Sequence, residues 1–196
     1  MFELILQNIS KHIQLTEEEK EYFVSVLQTK KLRRRQYLVQ AGEPCRYEYF
    51  INKGCLRQYY LDEKGHEHVL YFAIEDYWIS DMYGLTTGEP ALTNIDALED
   101  CELLVIEKTF YEQLFIEIPK LERFFRIILQ RSLISQQRRM IENMSLQADE
   151  RYYRFAQRYP FLEQRLPQKQ IASYLGITPE SLSRIRKQRM TNLKKA

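Results

Sequence analysis

The segment 168–187, QKQIASYLGITPESLSRIRK, constrains the fold of this chain more than any other, because it encodes two short helices and the turn between them. Apolar side chains recur at helical spacing in both halves, so the two helices are expected to share one small core. Gly176 can adopt the positive φ that ends the first helix, and Thr178 followed by Pro179 begins the second with a capping hydroxyl and a preset φ. The segment therefore predicts a helix-turn-helix.

The second helix of this motif has a polar face opposite its apolar residues. That face carries Glu180, Ser181, Arg184 and Lys187 at helical spacing. An exposed face of this kind fits the major groove of DNA, where Arg can read guanine and Glu can accept from the cytosine amino group. The alternative is an ordinary helical hairpin, although core packing alone does not require a capped helix with a basic outer face.

Charge is distributed unevenly along the chain. Residues 147–196 carry 11 Lys or Arg against 4 Asp or Glu, whereas residues 1–146 carry 18 against 23. A basic end on a mildly acidic body favours contact with phosphates, because Lys and Arg displace condensed counterions. The alternative is a solvated basic tail, which could consist of Arg186, Lys187, Arg189, Lys194 and Lys195.

The composition is that of a globular protein. A chain of 196 residues with 44% apolar and 13% aromatic residues can hold one large or two modest cores. No apolar run reaches membrane-spanning length and the N-terminal residues lack a signal-peptide pattern, so we expect a cytoplasmic protein without membrane contact. Cys45, Cys55 and Cys101 have no paired spacing and are expected to be buried thiols.

Short strands dominate the first half of the chain, after one helix that a capping box predicts from Thr16 to about Leu27. Runs rich in aromatic and β-branched residues alternate with turn-forming residues, which predicts an antiparallel sandwich or roll over residues 30–107. The expected strands are 47–51, 55–61, 66–72, 95–98 and 102–106.

A long helix is predicted from Pro119 to about Met144, a stretch without Gly or further Pro. Ile127, Ile134 and Ile141 follow one another at seven-residue steps on a face too broad for one neighbour. Such a face can pack on the β-domain and still leave a seam for an identical helix, which predicts a parallel dimer. The alternative is a helix that is buried within its own subunit.

These elements divide the chain into three predicted parts. They are a β-roll domain with its N-terminal helix (1–118), a dimerisation helix with a hinge (119–146) and a helix-turn-helix domain (147–196).

An enzyme is not expected. His66 and His68 share one face of a strand, but a metalloenzyme of the cupin type would want another His on a later strand, and the remaining histidine is His12. Two polar residues after a hairpin turn explain the pair more simply. The sequence also lacks GxSxG and phosphate-cradling Gly loops, so we predict no catalytic residues and no metal site.

The order of parts resembles the Crp/Fnr family of bacterial transcription regulators over nearly the whole chain. The most similar stretches are YEYFINKGCLRQYYL with Gly54, WISDMYGLTTGEPALTNIDALEDCELLVI and segment 168–187. The resemblance implies an α+β fold with a cyclic-nucleotide-binding-type β-roll (jelly roll), a long dimerisation helix and a C-terminal helix-turn-helix. It also implies a homodimeric regulator that binds double-stranded DNA and works with RNA polymerase.

The resemblance assigns DNA contacts residue by residue. Glu180 and Arg184 fall on the base-reading positions of the family, and the basic residues nearby are expected to contact the phosphate backbone. The full expected set is Lys169, Thr178, Glu180, Ser181, Arg184, Arg186 and Lys187. Only eight residues follow Gln188, so the β-hairpin wing common in the family is not expected.

The effector site departs from the family. In members that bind cyclic nucleotides, a Gly-Glu pair and an Arg-Ser pair hold the ribose and phosphate; here the ungapped positions are Ser80-Asp81 and Ala91-Leu92. Without the Arg, a cyclic phosphate would lose its hydration with no cationic partner. We therefore expect no cyclic AMP binding and no cofactor, although another small-molecule effector remains open.

Two further features of the family concern what the β-domain could sense. The Thr-Ser pair that reads the base falls on Gln136-Gln137, so the candidate effector pocket comprises the two pairs above and these glutamines. No cysteine cluster precedes Cys45, which argues against an iron-sulfur sensor. A nucleotide-binding regulatory module without DNA binding is the alternative function.

Overall fold

The computed structural model describes residues 1–193 of the chain. Their contacts form two compact units, one of residues 1–61 with 70–131 and the other of residues 62–69 with the chain from Ser132 onward. The helices and strands named below are numbered in chain order. The predicted α+β class is confirmed.

In the part of the chain that the structure describes, eight strands form two four-stranded sheets with the orders β1-β8-β3-β6 and β2-β7-β4-β5. In the first sheet, β8 pairs with β1 and β3, and β3 also pairs with β6. In the second sheet, β7 pairs with β2 and β4. All of these pairings are antiparallel. The strands are β1 (Gln28–Leu32), β2 (Tyr37–Val39), β3 (Tyr47–Lys53), β4 (Leu56–Leu61), β5 (Glu67–Ala73), β6 (Trp78–Ile79), β7 (Asn94–Ala97) and β8 (Cys101–Glu107).

Five helices accompany the sheets, and the last of them runs on into the second unit. They are α1 (Glu3–Ser10), α2 (Glu17–Ser25), α3 (Met82–Thr87), α4 (Lys108–Glu117) and α5 (Lys120–Ser145). The predicted capping box is present at α2, where Thr16 Oγ1 accepts from Glu19 N at 3.2 Å and Glu19 Oε2 accepts from Thr16 N at 2.7 Å.

Strands β3 and β8 are buried on both faces, which explains why they read as apolar runs rather than as alternating patterns. Ile51 and Leu103 point into the core between the two sheets. Phe50 and Leu104 point the other way, into a second core that α1, α2, α4 and the start of α5 complete. One sheet is thus covered by the other sheet and by helices.

The turn between β3 and β4 requires a glycine. Gly54 has φ +104°, and a Cβ at this position would lie 2.6 Å from both Asp100 O and Cys101 Sγ. A side chain here would clash with the backbone of the neighbouring loop, in addition to the strain of the positive φ. This turn is one that the sequence predicts.

In the second unit, the described residues that follow α5 form four helices. They are α6 (Ala148–Arg158), α7 (Leu162–Arg165), α8 (Gln168–Leu175) and α9 (Pro179–Leu193). Gly176 ends α8 with φ +64°, and Thr178 Oγ1 accepts from Ser181 N at 3.2 Å at the start of α9. Ile171, Leu175 and Leu182 are buried between these helices. The predicted helix-turn-helix is confirmed.

Candidate nucleic-acid interface

The exposed side of α9 carries the charged residues that the sequence predicts there. Leu182 is buried on the inner side of the helix, whereas Glu180, Arg184 and Lys187 are exposed. The three exposed residues recur at i, i+4 and i+7, so they form one stripe along the helix. We call Glu180, Arg184 and Lys187 the reading face.

Thr178 and Ser181 organise the first turn of α9. The Thr178 hydroxyl donates to Ser181 Oγ at 3.2 Å, and Ser181 Oγ accepts from Arg184 Nη2 at 3.3 Å. These contacts hold Arg184 along the helix. A hydrogen bond from its own backbone N–H lowers the pKa of the Glu180 carboxyl, so this side chain is ionised at neutral pH.

The other basic residues of the predicted set differ from one another in their surroundings. Lys169 is exposed in the first turn of α8. Arg186 is half-buried on α9, where its Nε lies 3.7 Å from Glu163 Oε1. Lys194 and Lys195, the possible basic tail, lie outside the described residues.

Glu163 lies at the centre of a polar cluster that the sequence analysis missed. Its Oε2 accepts from Arg189 Nη1 at 3.3 Å, and its Oε1 accepts from the hydroxyl of Tyr152. Tyr152, on α6, is only 1% exposed, and the same Arg189 atom lies 3.4 Å from its hydroxyl oxygen. We call Tyr152, Glu163, Arg186 and Arg189 the Glu163 cluster. The spacing of Arg186 and Arg189 behind buried Leu182 was a signal that could have placed them on the inner side of α9.

The tip of the β4–β5 hairpin, residues 62–69, belongs to the same unit as the helix-turn-helix. Ser173 Oγ, on α8, donates to Glu67 O at 2.6 Å and accepts from Val69 N at 3.0 Å. Arg139 Nη2, on α5, donates to Val69 O and to Tyr174 O, both at 2.8 Å, and its guanidinium lies 4.1 Å from the Tyr174 ring centroid. Backbone groups of the hairpin tip are therefore hydrogen-bonded to two helices.

His66 and His68 lie on this hairpin tip beside a carboxylate. Asp62 Oδ2 lies 2.9 Å from His68 Nε2 and 3.3 Å from His66 Nδ1. The hydrogen bond to His68, followed by that from the His66 backbone N–H, lowers the pKa of the Asp62 carboxyl. No group of three or more potential ligands suited to a metal ion occurs among the described residues.

The candidate effector residues of the β-domain are mostly buried. Asp81 is 2% exposed, and its carboxylate accepts from Gly84 N at 2.8 Å, from Thr93 N at 3.0 Å and from Thr93 Oγ1 at 2.5 Å. Ser80 Oγ donates to Tyr47 O at 3.0 Å. Ala91 is buried as well, whereas Leu92 is exposed. Asp81 thus caps α3 and ties it to the chain before β7.

A second buried carboxylate in this domain is paired with an arginine. Arg57 on β4 donates from Nε and Nη2 to the two oxygens of Asp96 on β7, at 2.7 and 2.8 Å. The Arg57 guanidinium also lies 4.1 Å from the ring centroid of Tyr59. Its charge is therefore balanced within the domain.

Helix α5 exposes an apolar stripe. Ile134 is 54% exposed and Ile141 is 63% exposed, whereas Ile127 is half-buried. Gln136 and Gln137 are exposed on the same helix. The other large apolar side chains exposed on α5 are Leu129, Leu133, Met140 and Met144.

Cys45, Cys55 and Cys101 are buried free thiols, as the sequence predicts. Burial raises the pKa of the Cys101 thiol to about 11, which keeps it protonated at neutral pH. Among the described residues, no helix is both long enough and apolar enough to cross a membrane.

Comparison with known proteins identifies relatives of both halves of the chain. Residues 29–117 match the family model of the cyclic nucleotide-binding domain. The anaerobic regulatory protein of Pasteurella multocida (strain Pm70) is 25% identical over 183 residues, which cover 87% of this chain and 66% of that protein. The fumarate and nitrate reduction regulatory protein of Vibrio cholerae serotype O1 is 26% identical over 185 residues, which cover 87% of this chain and 72% of that protein. The chain thus spans about two thirds to three quarters of these relatives.

A solved structure shares the fold. FixK2 from Bradyrhizobium japonicum matches with a TM-score of 0.75 and 20% sequence identity, covering 85% of this chain and 86% of that chain. The two relatives by sequence are named as regulators and not as enzymes.

Proposed function

We propose that this chain, which is similar to Crp/Fnr-type transcription regulators, is a sequence-specific DNA-binding regulator that acts as a homodimer. The observation that carries the proposal is the reading face of α9, three exposed charged side chains in one stripe on the second helix of a helix-turn-helix. The basic balance of residues 147–196 supports it, because phosphate contacts supply most of the non-specific affinity for DNA.

The proposed contacts divide into two kinds. Glu180 and Arg184 read base edges in the major groove, with Arg suited to guanine and Glu to the cytosine amino group. Lys169 and Lys187 contact phosphates, which fixes register without reading sequence. Thr178 and Ser181 shape the first turn of α9 and hold Arg184 in place.

The proposed dimer is formed by α5. Its exposed apolar stripe, which includes Ile134 and Ile141, pairs with the same stripe of a second copy in a parallel arrangement. Burial of such side chains against a partner is favourable by about 25 cal/mol per Å² of apolar surface. The dimer would place two reading faces about 34 Å apart, one turn of DNA, on a near-palindromic site.

Cyclic AMP is not the proposed effector. The family's Arg-Ser pair falls on Ala91 and Leu92, whose side chains carry neither a charge nor a hydrogen-bond donor. The Asp81 carboxylate, at the position of the family's Glu, makes its hydrogen bonds within the domain. A cyclic phosphate at Ala91 and Leu92 would therefore lose its hydration with no cationic partner. We expect no binding of cyclic AMP in a calorimetric titration of the protein, and saturable binding would contradict this part of the proposal.

The proposal is tested by selecting DNA from a random library with the purified full chain. We expect enrichment of a near-palindromic sequence whose half-sites are centred about 10 base pairs apart. Equal retention of all sequences would contradict sequence-specific binding. A transcription assay with RNA polymerase on a promoter that carries the selected site then distinguishes activation from repression. Since the relatives are bacterial regulators, we place this action in the cytoplasm.

A further inference from the structure

We propose that Glu163 is a positioning residue for the reading face, because its carboxylate anchors the inner side of α9 through Arg186 and Arg189 and withholds these two cations from DNA phosphates. This role for Glu163 rests on the proposed DNA-binding function and deepens it, since it assigns a residue that sets specificity from outside the reading face.

The two arginines attach α9 to one carboxylate at two points. Arg189 Nη1 lies 3.3 Å from Glu163 Oε2, and Arg186 Nε lies 3.7 Å from Glu163 Oε1. The two arginines are three positions apart in the sequence, which corresponds to a rise of about 4.5 Å along the helix axis. Two attachments at different heights on one side of a helix resist rotation of that helix about its axis.

Tyr152 joins this attachment to the core of the unit. Its ring is almost fully buried, and its hydroxyl donates to Glu163. Burial, and then the hydrogen bond to Glu163, raise the pKa of the phenol, so it remains protonated and available as a donor. The Arg189 guanidinium lies 5.6 Å from the centroid of the same ring. The Glu163 carboxylate therefore connects Tyr152 of α6 to the two arginines of α9.

The placement of Glu163 differs from that of the other three acids of residues 147–196. Asp149 and Glu150 lie in the first turn of α6, where acids favour the helix dipole. Glu180 belongs to the reading face. Glu163 has two arginines of α9 within 4 Å, and its side chain is 18% exposed, compared with 32% and 34% for Arg186 and Arg189.

This arrangement predicts opposite effects on two kinds of DNA binding. Loss of the anchor lets the reading face rotate, which weakens base contacts because bidentate hydrogen bonds tolerate little misplacement. The same loss frees two cations beside a helix that faces phosphates, which strengthens non-specific binding. A variant that was merely destabilised would lose both kinds of binding together.

The first test is E163Q, with D149N as the matched control, because that substitution removes the same charge in the same unit from an exposed residue. Fluorescence anisotropy measures binding to a random-sequence duplex and to the site selected by the wild type, each over a range of salt concentrations. For E163Q on random DNA, we expect the slope of log K against log [salt] to steepen by about 0.9 to 1.8, one to two phosphates. The ratio of specific to non-specific affinity should fall about tenfold or more, whereas D149N should leave both quantities near wild type.

The second test removes the cations instead. If Glu163 already engages them, R186Q/R189Q leaves the salt slope on random DNA near the wild-type value, whereas K187Q flattens it by about 0.9. A flattening of about 1.8 in R186Q/R189Q would overturn the proposal, because the two arginines would then be contacting phosphates in the wild type.

A measurement on the protein without DNA tests whether Glu163 stabilises α9, independently of whether the protein binds DNA. We expect E163Q and R186Q/R189Q to accelerate amide hydrogen exchange in α9 of the free protein, and D149N to leave it unchanged. Unchanged exchange in both cluster variants would overturn the anchor, even if the wild type bound DNA. Failure of the wild type to bind DNA, with faster exchange in the variants, would overturn the proposed function and with it the role in specificity. If E163Q does not fold, the salt slope on random DNA and the amide exchange of α9 in R186Q/R189Q test the proposal.

Discussion

Glu48 shows how burial alone changes the chemistry of one side chain. It lies on β3 with 7% of its surface exposed, and burial raises the pKa of its carboxyl to about 8. The unfolded chain titrates near the ordinary value for Glu, so the folded state binds a proton more tightly than the unfolded state. The stabilisation that this proton gives is complete below the ordinary pKa and is lost as the pH rises through about 8.

The prediction at this residue is a stability that depends on pH. The free energy of unfolding of the wild type should fall on the order of a few kcal/mol between about pH 5 and about pH 8, and E48Q should remove most of this decrease. Urea unfolding at several pH values measures it. E102Q, on the exposed face of neighbouring β8, is the control and should keep the wild-type dependence. A parallel decrease in E48Q and wild type would show that Glu48 is not the group that titrates.

Arg184 and Lys187 are predicted to differ in what they contribute to DNA binding. R184A should cost about 1 to 3 kcal/mol on the selected site and flatten the preference at one base pair, because a bidentate base contact is lost. K187A should weaken binding to all sequences alike and reduce the salt slope by about 0.9. Competition binding against single-base variants of the site measures both. Equal losses on specific and random DNA for R184A would remove it from the base readers.

The strands of the β4–β5 hairpin belong to a sheet, whereas its tip is hydrogen-bonded to helices. Its strands complete the sheet β2-β7-β4-β5, yet residues 62–69 are bonded to α8 through Ser173 and to α5 through Arg139. A single hydroxyl serves two backbone groups of the tip, one as donor and one as acceptor. Its removal leaves both groups to be satisfied by water.

We therefore predict that S173A loosens the hairpin tip. The two lost hydrogen bonds should lower the free energy of unfolding by about 1 to 2 kcal/mol, and amide exchange at Val69 should accelerate. Hydrogen-exchange mass spectrometry of the tip peptide measures the second effect. S183A, an exposed serine of α9, is the control. If the tip amides of S173A exchange as slowly as those of the wild type, Arg139 and the strand pairing, and not Ser173, are what order the tip.

For the whole molecule, the exposed stripe of α5 is the feature that determines the proposed assembly. Ile134 and Ile141 are more than half exposed in one chain, and they lie seven residues apart, as partners in a parallel helix pair do. A single chain leaves this surface in water, at a cost that a second copy would remove.

We predict that I134E/I141E is monomeric. Two carboxylates in the seam would face their counterparts across the dimer and lose their hydration, so association should weaken by several kcal/mol. Analytical ultracentrifugation measures the mass. I116E places one such carboxylate on an exposed apolar residue of α4 and should remain dimeric. A monomeric wild type would contradict the proposed homodimer, and a dimeric I134E/I141E would locate the interface elsewhere.

The local pattern of the sequence was sufficient wherever near neighbours decide the structure. The capping box at Thr16, the left-handed Gly176 and the N-cap at Thr178 were all predicted, because each depends on residues within one helical turn. The start of α5 was predicted within one residue, at Lys120. Helix α1 and the short strands β1, β2 and β6 were not predicted, since pairing with distant strands or packing against the sheet stabilises them.

By itself the sequence determined the helix-turn-helix, the antiparallel β-domain and the residues of the reading face, because their signals are periodicity and turn chemistry over short stretches. Only the tertiary structure decided which charged and polar groups are engaged within the chain and which remain available to a ligand. It placed Arg186 and Arg189 against Glu163, closed the Asp81 carboxylate on Thr93 and bonded the hairpin tip to Ser173. These partners are 12 to 106 residues apart in the chain, and the pairing of side chains so distant depends on packing in three dimensions, which no local pattern encodes.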